Sequence, residues 1–214
     1  MGKAKETCQP MSETGKATET SGTGEAGEAN VNYILHRSSN DILVFEVSDL
    51  QTDTWRLASQ PSINVLIKNQ LNEFLRPSSK EISGGGADFS DVLGGVQFNL
   101  HKYKNTKFSP GLSVAFIIKA NQKTYCMCCT EDMKISFKQQ DCPQIIRGDT
   151  SDIIFYQKTF SRGTTNSFYF ESALRPGYAL ACHEEDGKKK LVLKKSSDEP
   201  DRADETRKLD LVKN

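Results

Sequence analysis

The sequence predicts an all-β closed architecture, and three observations lead there. Short runs rich in Val, Ile, Phe and Tyr recur along most of the 214-residue chain, with turn residues between them. Within several runs apolar and polar residues alternate, the period of a strand with one buried face. No segment carries a convincing helical period. Many short strands expose unpaired edges unless the sheet closes on itself, so closure is the expected solution.

Taken in order, residues 1–30 contain Glu, Gly, Thr and Ser but no Ile, Leu, Phe, Tyr or Trp. Such a segment cannot nucleate a core, and a disordered polar tail is expected there. A β-prone run, Asp41-Ile42-Leu43-Val44-Phe45-Glu46-Val47, then leads into Ser48-Asp49-Leu50-Gln51-Thr52-Asp53. Further strands are predicted over 63–69, 73–76, 96–103, 112–119 and 124–130. The series continues over 134–138, 153–158, 168–171, 178–182, 190–194 and 209–212. Phe137, Ile153, Phe155, Phe170 and Leu180 alternate with polar neighbours and are assigned to the core. Each such side chain stabilises the fold by about 1.5–3 kcal/mol when buried. Tyr178 and Trp55 are intermediate cases. Gly84-Gly85-Gly86 lacks the Gly-Lys-Ser/Thr continuation of a phosphate cradle and is read as a flexible connection. The final run, Arg207-Lys208-Leu209-Asp210-Leu211-Val212, is polar and follows a strongly charged stretch, so a loosely held closing hairpin is expected.

The formal net charge of zero hides an asymmetry. Residues 1–53 hold four Lys/Arg against nine Asp/Glu, and residues 54–214 hold twenty-four against nineteen. The basic residues are scattered through strand-like segments without interleaved aromatics, which points away from nucleic acid and towards an acidic protein partner. No apolar stretch is long enough to span a bilayer and the N-terminus has no apolar core of a signal peptide, so synthesis in the cytosol without membrane insertion is expected. The six cysteines, at 8, 126, 128, 129, 142 and 182, lack the spacing of a disulfide framework and read as free thiols. With only three histidines, at 36, 101 and 183, neither a metal set nor a nucleophile–base pair emerges. No cofactor, metal or catalytic residue is therefore assigned, and a binding protein is expected rather than an enzyme. Arg147-Gly148-Asp149 spells the tripeptide read by integrins, in a polar stretch expected to be a loop. Three-residue matches arise readily by chance, so it enters no functional expectation at this point.

The stretch Phe170-Glu171-Ser172-Ala173-Leu174-Arg175-Pro176-Gly177-Tyr178-Ala179-Leu180-Ala181-Cys182 couples two β-type runs through a Pro-Gly turn. It resembles the signature of the interleukin-1 cytokine family. Lys134-Ile135-Ser136-Phe137-Lys138, Ser151-Asp152-Ile153-Ile154-Phe155-Tyr156-Gln157 and Lys190-Leu191-Val192-Leu193-Lys194-Lys195 resemble strands of its interleukin-18 branch, in the same order. The resemblance covers roughly residues 33–214. It implies a β-trefoil of twelve short strands in three pseudo-repeats, six forming a barrel and six a cap. The strand not yet assigned is placed near 81–83, before the glycine run.

The resemblance also implies a function. Members of that branch are leaderless cytosolic precursors, cut after Asp in a Leu-x-x-Asp segment and secreted by an unconventional route. Leu50-Gln51-Thr52-Asp53 stands at the matching place, with Thr54 as the new first residue and Asp41 and Asp49 as competing sites. On this reading residues 1–30 are the tail, 31–53 a propeptide and 54–214 the trefoil cytokine domain. An inflammatory caspase reads the Asp carboxylate with cationic groups. The acidic leader would block or reshape the basic domain's docking face until the cut. The implied partners are an immunoglobulin-like interleukin-18-type receptor, an accessory receptor chain and a soluble binding protein, with the cytokine itself a monomer. Residue by residue, Lys68, Lys104, Lys138, Asp152 and Lys158 fall on receptor-contact positions. The branch carries Arg where Lys68 and Lys158 stand here, which removes the bidentate fork at those two. Another interleukin-1 family member or a receptor antagonist is the alternative, followed by a trefoil lectin or protease inhibitor.

Overall fold

The computed structural model describes residues 32–39, 42–48, 54–92, 94–161, 164–196 and 204–213. The expected disordered tail, the propeptide's Asp41 and Asp49, and segment 50–53 lie outside the described residues. The chain divides into two compact units, residues 1–50 and 51–214. In the first, β1 (Asn32–Ser39) and β2 (Ile42–Ser48) pair antiparallel with an irregularity in register between Leu35 and Arg37. β2 matches the predicted run; β1 does not follow from any reading made above.

The second unit opens with β3 (Thr54–Leu57), β4 (Ile63–Lys68), β5 (Phe74–Pro77), β6 (Ala87–Ser90) and β7 (Phe98–Asn105). Next come β8 (Leu112–Ala120), β9 (Lys123–Cys129), β10 (Ile135–Gln139), β11 (Ile145–Arg147) and β12 (Phe155–Thr159). β13 (Ser167–Ser172), β14 (Tyr178–Glu185), β15 (Lys188–Lys195), a 3₁₀ turn (Glu205–Arg207) and β16 (Leu209–Lys213) complete it. Each of the eleven strands predicted here is present, with ends displaced by at most three residues.

Pairing makes the architecture explicit. β4, β7, β8, β12, β13 and β16 pair in that order, and β16 returns to β4, so six strands close a ring. The hairpins β5–β6, β9–β10 and β14–β15 extend from β4, β8 and β13 respectively. Three four-strand sets follow: β4-β5-β6-β7, β8-β9-β10-β12 and β13-β14-β15-β16. In each set the first strand pairs the second, the second the third, and the first the fourth. This is a twelve-stranded β-trefoil, six strands in the barrel and six in the cap. β3 and β11 are additions outside the threefold pattern; β3 lies between β7 and β11.

Alternation along each barrel strand sends alternate side chains inward. Val65 and Ile67 of β4, Phe98 and Leu100 of β7, and Val114 and Phe116 of β8 join one buried cluster with Phe155, Phe170, Leu209 and Leu211. Phe116 is its centre, with ring centroids 5.0 Å from Phe170, 5.9 Å from Phe155 and 6.3 Å from Phe98. The tilted and edge-on arrangements suit the ring quadrupoles. Phe137, Ile153 and Leu180 are also buried, as expected. Trp55 is buried too, in a second cluster with Tyr103, Ile117, Cys126, Cys128 and Ile154.

Three expectations are corrected. The unassigned strand is β6, after the glycine run rather than at 81–83, because Ser83-Gly84 is a turn with Gly84 at φ +74°. The inward residues Ala87 and Phe89 follow it, with Phe89 in register with Leu75. The glycine run is also tied down: the Gly84 N–H donates to Phe137 O at 2.9 Å and the Gly85 N–H to Ile82 O at 3.1 Å. Finally, the closing strand is firmly held. Its polar residues alternate with Leu209 and Leu211, both buried, while the backbone pairs on both sides.

Phe116→Ala is expected to remove about 3–5 kcal/mol of unfolding free energy, because rings from three other barrel strands cannot collapse into the space left. Urea unfolding followed by tryptophan fluorescence checks this; a loss under about 1 kcal/mol would contradict Phe116 as the centre of the core.

Candidate protein-docking surface

The side chains expected to contact a receptor lie on different parts of the trefoil, and their surroundings differ. Lys138 on β10 forms an ion pair with Asp152, in the segment leading into β12. Asp152 is fixed from behind, since its backbone oxygen accepts from Cys129 N at 2.8 Å. The hydrogen bond to Asp152 holds the Lys138 ammonium above its ordinary pKa. These are the only two of the five candidates that touch.

Lys158 on β12 is engaged within the molecule. Its Nζ lies 2.5 Å from Glu171 Oε2, the two side chains being 22% and 16% exposed, and 5.5 Å from the ring centroid of Tyr169. Glu171 also accepts the Gly177 N–H at 3.0 Å, which braces the Pro176-Gly177 turn. Burial works to raise the Glu171 pKa, but the bonds from Lys158 and Gly177 outweigh it and hold the carboxyl below its usual range. Lys68, at the end of β4, sits 4.7 Å over the ring of Phe74 and opposite Asp210 in the β4–β16 register.

Lys104 presents a different situation. It is exposed on β7, directly opposite Arg56 of β3. Lys102, two residues earlier, shares its face of the strand. Like charges placed opposite each other across a ladder repel, by a few tenths of a kcal/mol to about 1 kcal/mol. A carboxylate brought by a partner relieves that repulsion. Arg56 was missed by sequence reasoning because the short β3 was not recognised; the run Thr54-Trp55-Arg56-Leu57 held the signal in its β-favouring Thr and Trp.

Of the expected processing residues, Leu50 and Asp53 lie outside the described residues. Thr54 is described and is 8% exposed. Its N–H donates to Thr106 Oγ1 at 3.0 Å and its carbonyl accepts from Thr106 N at 3.1 Å. The residue after the expected cut is thus already built into the fold.

The buried thiols lack the character of nucleophiles. Burial pushes Cys126 and Cys128 up to about 11, and raises Cys129, Cys142 and Cys182 as well. Cys142 Sγ is 3.0 Å from Tyr103 Oη, which also donates to Pro143 O at 2.7 Å. All five described cysteines are free. Among the described residues no group of three or more His, Cys, Asp or Glu is placed to hold a metal ion, and no helix is long and apolar enough to cross a membrane.

Comparison with known proteins completes the picture. A family model described as Interleukin-1 / 18 matches residues 87–206, more than half of the chain. Interleukin-18 of Bos taurus is 34% identical over 180 residues, covering 81% of this chain and 90% of the bovine one. Interleukin-18 of Gallus gallus is 41% identical over 117 residues, 53% of this chain, and that match spans only 59% of the chicken protein's length. Human interleukin-18 is 29% identical over 180 residues, with 81% and 90% covered. The crystal structure of chicken cytokine interleukin 1 beta superposes with a TM-score of 0.52 at 18% identity over 73% of this chain and 98% of that one, which shows the shared fold. Proteins of this family are signalling cytokines and not enzymes. The chain belongs to the interleukin-1/interleukin-18 cytokine family.

Proposed function

We propose that this chain is the precursor of a secreted, pro-inflammatory cytokine of interleukin-18 type, cut after Asp53 by an inflammatory caspase. The freed trefoil binds an immunoglobulin-like receptor and then an accessory chain, whose cytoplasmic domains meet and signal. The observation that carries this reading is the coincidence of the division between compact units, at residues 50 and 51, with the Leu50-Gln51-Thr52-Asp53 segment. A protease that cuts after Asp53 separates the two units and leaves all strands of the trefoil on one fragment. The cut also parts a segment carrying four basic and nine acidic residues from one carrying twenty-four and nineteen, a net basic balance that suits an acidic partner.

The proposed receptor surface takes in Lys68, Lys104, Lys138, Asp152 and Lys158 in different roles. Lys104, opposite Arg56 and near Lys102, carries a charge with no ion-pair partner among the described residues, and the Lys138–Asp152 pair supplies orientation. Lys158 acts mainly by holding Glu171 and the following turn in place. Lys68 lies over Phe74 and presents a part-exposed cation at the end of β4. The precursor is made in the cytosol and leaves by a route other than the secretory pathway, and a soluble binding protein competes for the same face.

Incubation with an inflammatory caspase is expected to yield one large fragment by intact mass, beginning at Thr54, and Asp53→Ala is expected to abolish it. Cleavage that persists in Asp53→Ala would contradict the site. In the 54–214 fragment, the double reversal Lys104→Glu with Lys138→Glu is expected to weaken binding to the purified receptor at least about tenfold, or roughly 1.4 kcal/mol. Unchanged affinity by surface plasmon resonance would remove those residues from the interface.

A further inference from the structure

We infer that the Arg147-Gly148-Asp149 turn is a second docking site, for an integrin-type adhesion receptor that holds the Asp149 carboxylate on its own divalent cation and the Arg147 guanidinium against its carboxylates. The site stands apart from the cytokine-receptor reading and does not depend on it.

The tripeptide is presented, not merely present. β11 ends at Arg147, which is in register with Thr54 of β3. On the other side, Ser151, Ile153 and Ile154 are buried. The turn is therefore pinned at both ends while Arg147, Asp149 and Thr150 are exposed between them. Little ordering entropy is left to lose when a partner engages such a turn. Gly148 has φ +103°, and a Cβ built there would meet nothing within 4 Å. The backbone, not packing, requires glycine at this position, and the bare face leaves a partner free to approach the peptide closely.

The flanking chemistry matches that partner. An exposed carboxylate is a hard oxygen donor suited to completing the coordination of Mg²⁺ or Mn²⁺ held elsewhere. The planar guanidinium fork suits paired carboxylates. Asp149 Oδ1 lies 3.3 Å from Lys107 Nζ, with the two side chains 73% and 59% exposed. Water screens a pair of that kind, so a divalent cation displaces the ammonium from it. Through Lys107 the β7–β8 loop lies alongside the turn, and its next residue, Phe108, is 99% exposed. An aromatic side chain standing wholly in water, one residue along the chain from the lysine paired with Asp149, offers a partner an anchor at no cost in internal packing.

The test uses the full chain and the purified ectodomain of an Arg-Gly-Asp-reading integrin, in millimolar Mn²⁺ or in EDTA. Saturable binding is expected in Mn²⁺ only, with competition by a linear Arg-Gly-Asp-Ser peptide and none by Arg-Gly-Glu-Ser. Asp149→Glu lengthens the side chain by one methylene, displacing the carboxylate by about 1.5 Å; it is expected to weaken binding at least about tenfold, with an unchanged thermal melt. Lys107→Ala is expected to leave binding intact or strengthen it, and Phe108→Ala to weaken it several-fold. Absence of binding where a fibronectin-type control binds, or binding that survives EDTA or Asp149→Glu, would overturn the proposal. Signalling through the cytokine receptor is expected to be the same for the 54–214 fragment with and without Asp149→Glu, which keeps the two readings separable.

Discussion

The antiparallel pairing of β16 with both β13 and β4 closes the barrel, and the placement of every outer side chain depends on that closure. Two buried leucines, Leu209 and Leu211, supply the apolar contact, while Asp210 accepts from Ser167 Oγ and faces Lys68 across the ladder. Without β16, β4 and β13 would each present an open edge, and the core cluster that contains Phe170 would lose both leucines. With it, the six barrel strands have no free edge, and the ladder registers fix which side chain of each strand points out. Lys138 faces outward because Phe137 beside it is buried in the core, whereas Lys104 is exposed at the end of β7, beyond its last barrel pair, where β3 supplies its partner Arg56.

The aromatic cluster around Phe116 and the ring are mutually dependent. Phe98, Phe155 and Phe170 come from three other barrel strands, so the cluster exists only when the strands are in register. A second, smaller core under β3 and β11 departs from the threefold pattern. Trp55 and Ile146 pack with Tyr103, Cys126 and Cys128, and β11, paired with β3, ends at the Arg147 turn.

Much of the fold was legible in the sequence because half-buried strands write their burial into alternation. Phe137, Phe155, Phe170 and Leu180 were assigned to the core on that pattern and are buried. Elements of three or four residues, such as β3 and β11, are too short to show a period, and neither was found. β6 was misplaced because Ala-Asp-Phe-Ser has little β-branched character, while the neighbouring Glu-Ile-Ser has one Ile that packs on the core from a turn. The closing strand looked loose because composition averages over both faces, and its two leucines share one. At the docking surface, sequence named charged residues without their partners. Lys158 reads alike as a receptor contact or a brace, and only the 2.5 Å contact to Glu171 reveals the second role. The Arg-Gly-Asp tripeptide was equally mute until the exposure and backbone geometry of its turn were known.

Native-state hydrogen exchange on the β16 amides addresses closure most directly. The Leu211 N–H, which donates to Asn166 O at 2.9 Å, is predicted to exchange only through global unfolding, with an opening free energy equal to that from denaturant titration. Exchange of Leu209 and Leu211 by local opening, several kcal/mol below the global value, would mean that the ring stands without its last strand and would contradict the account.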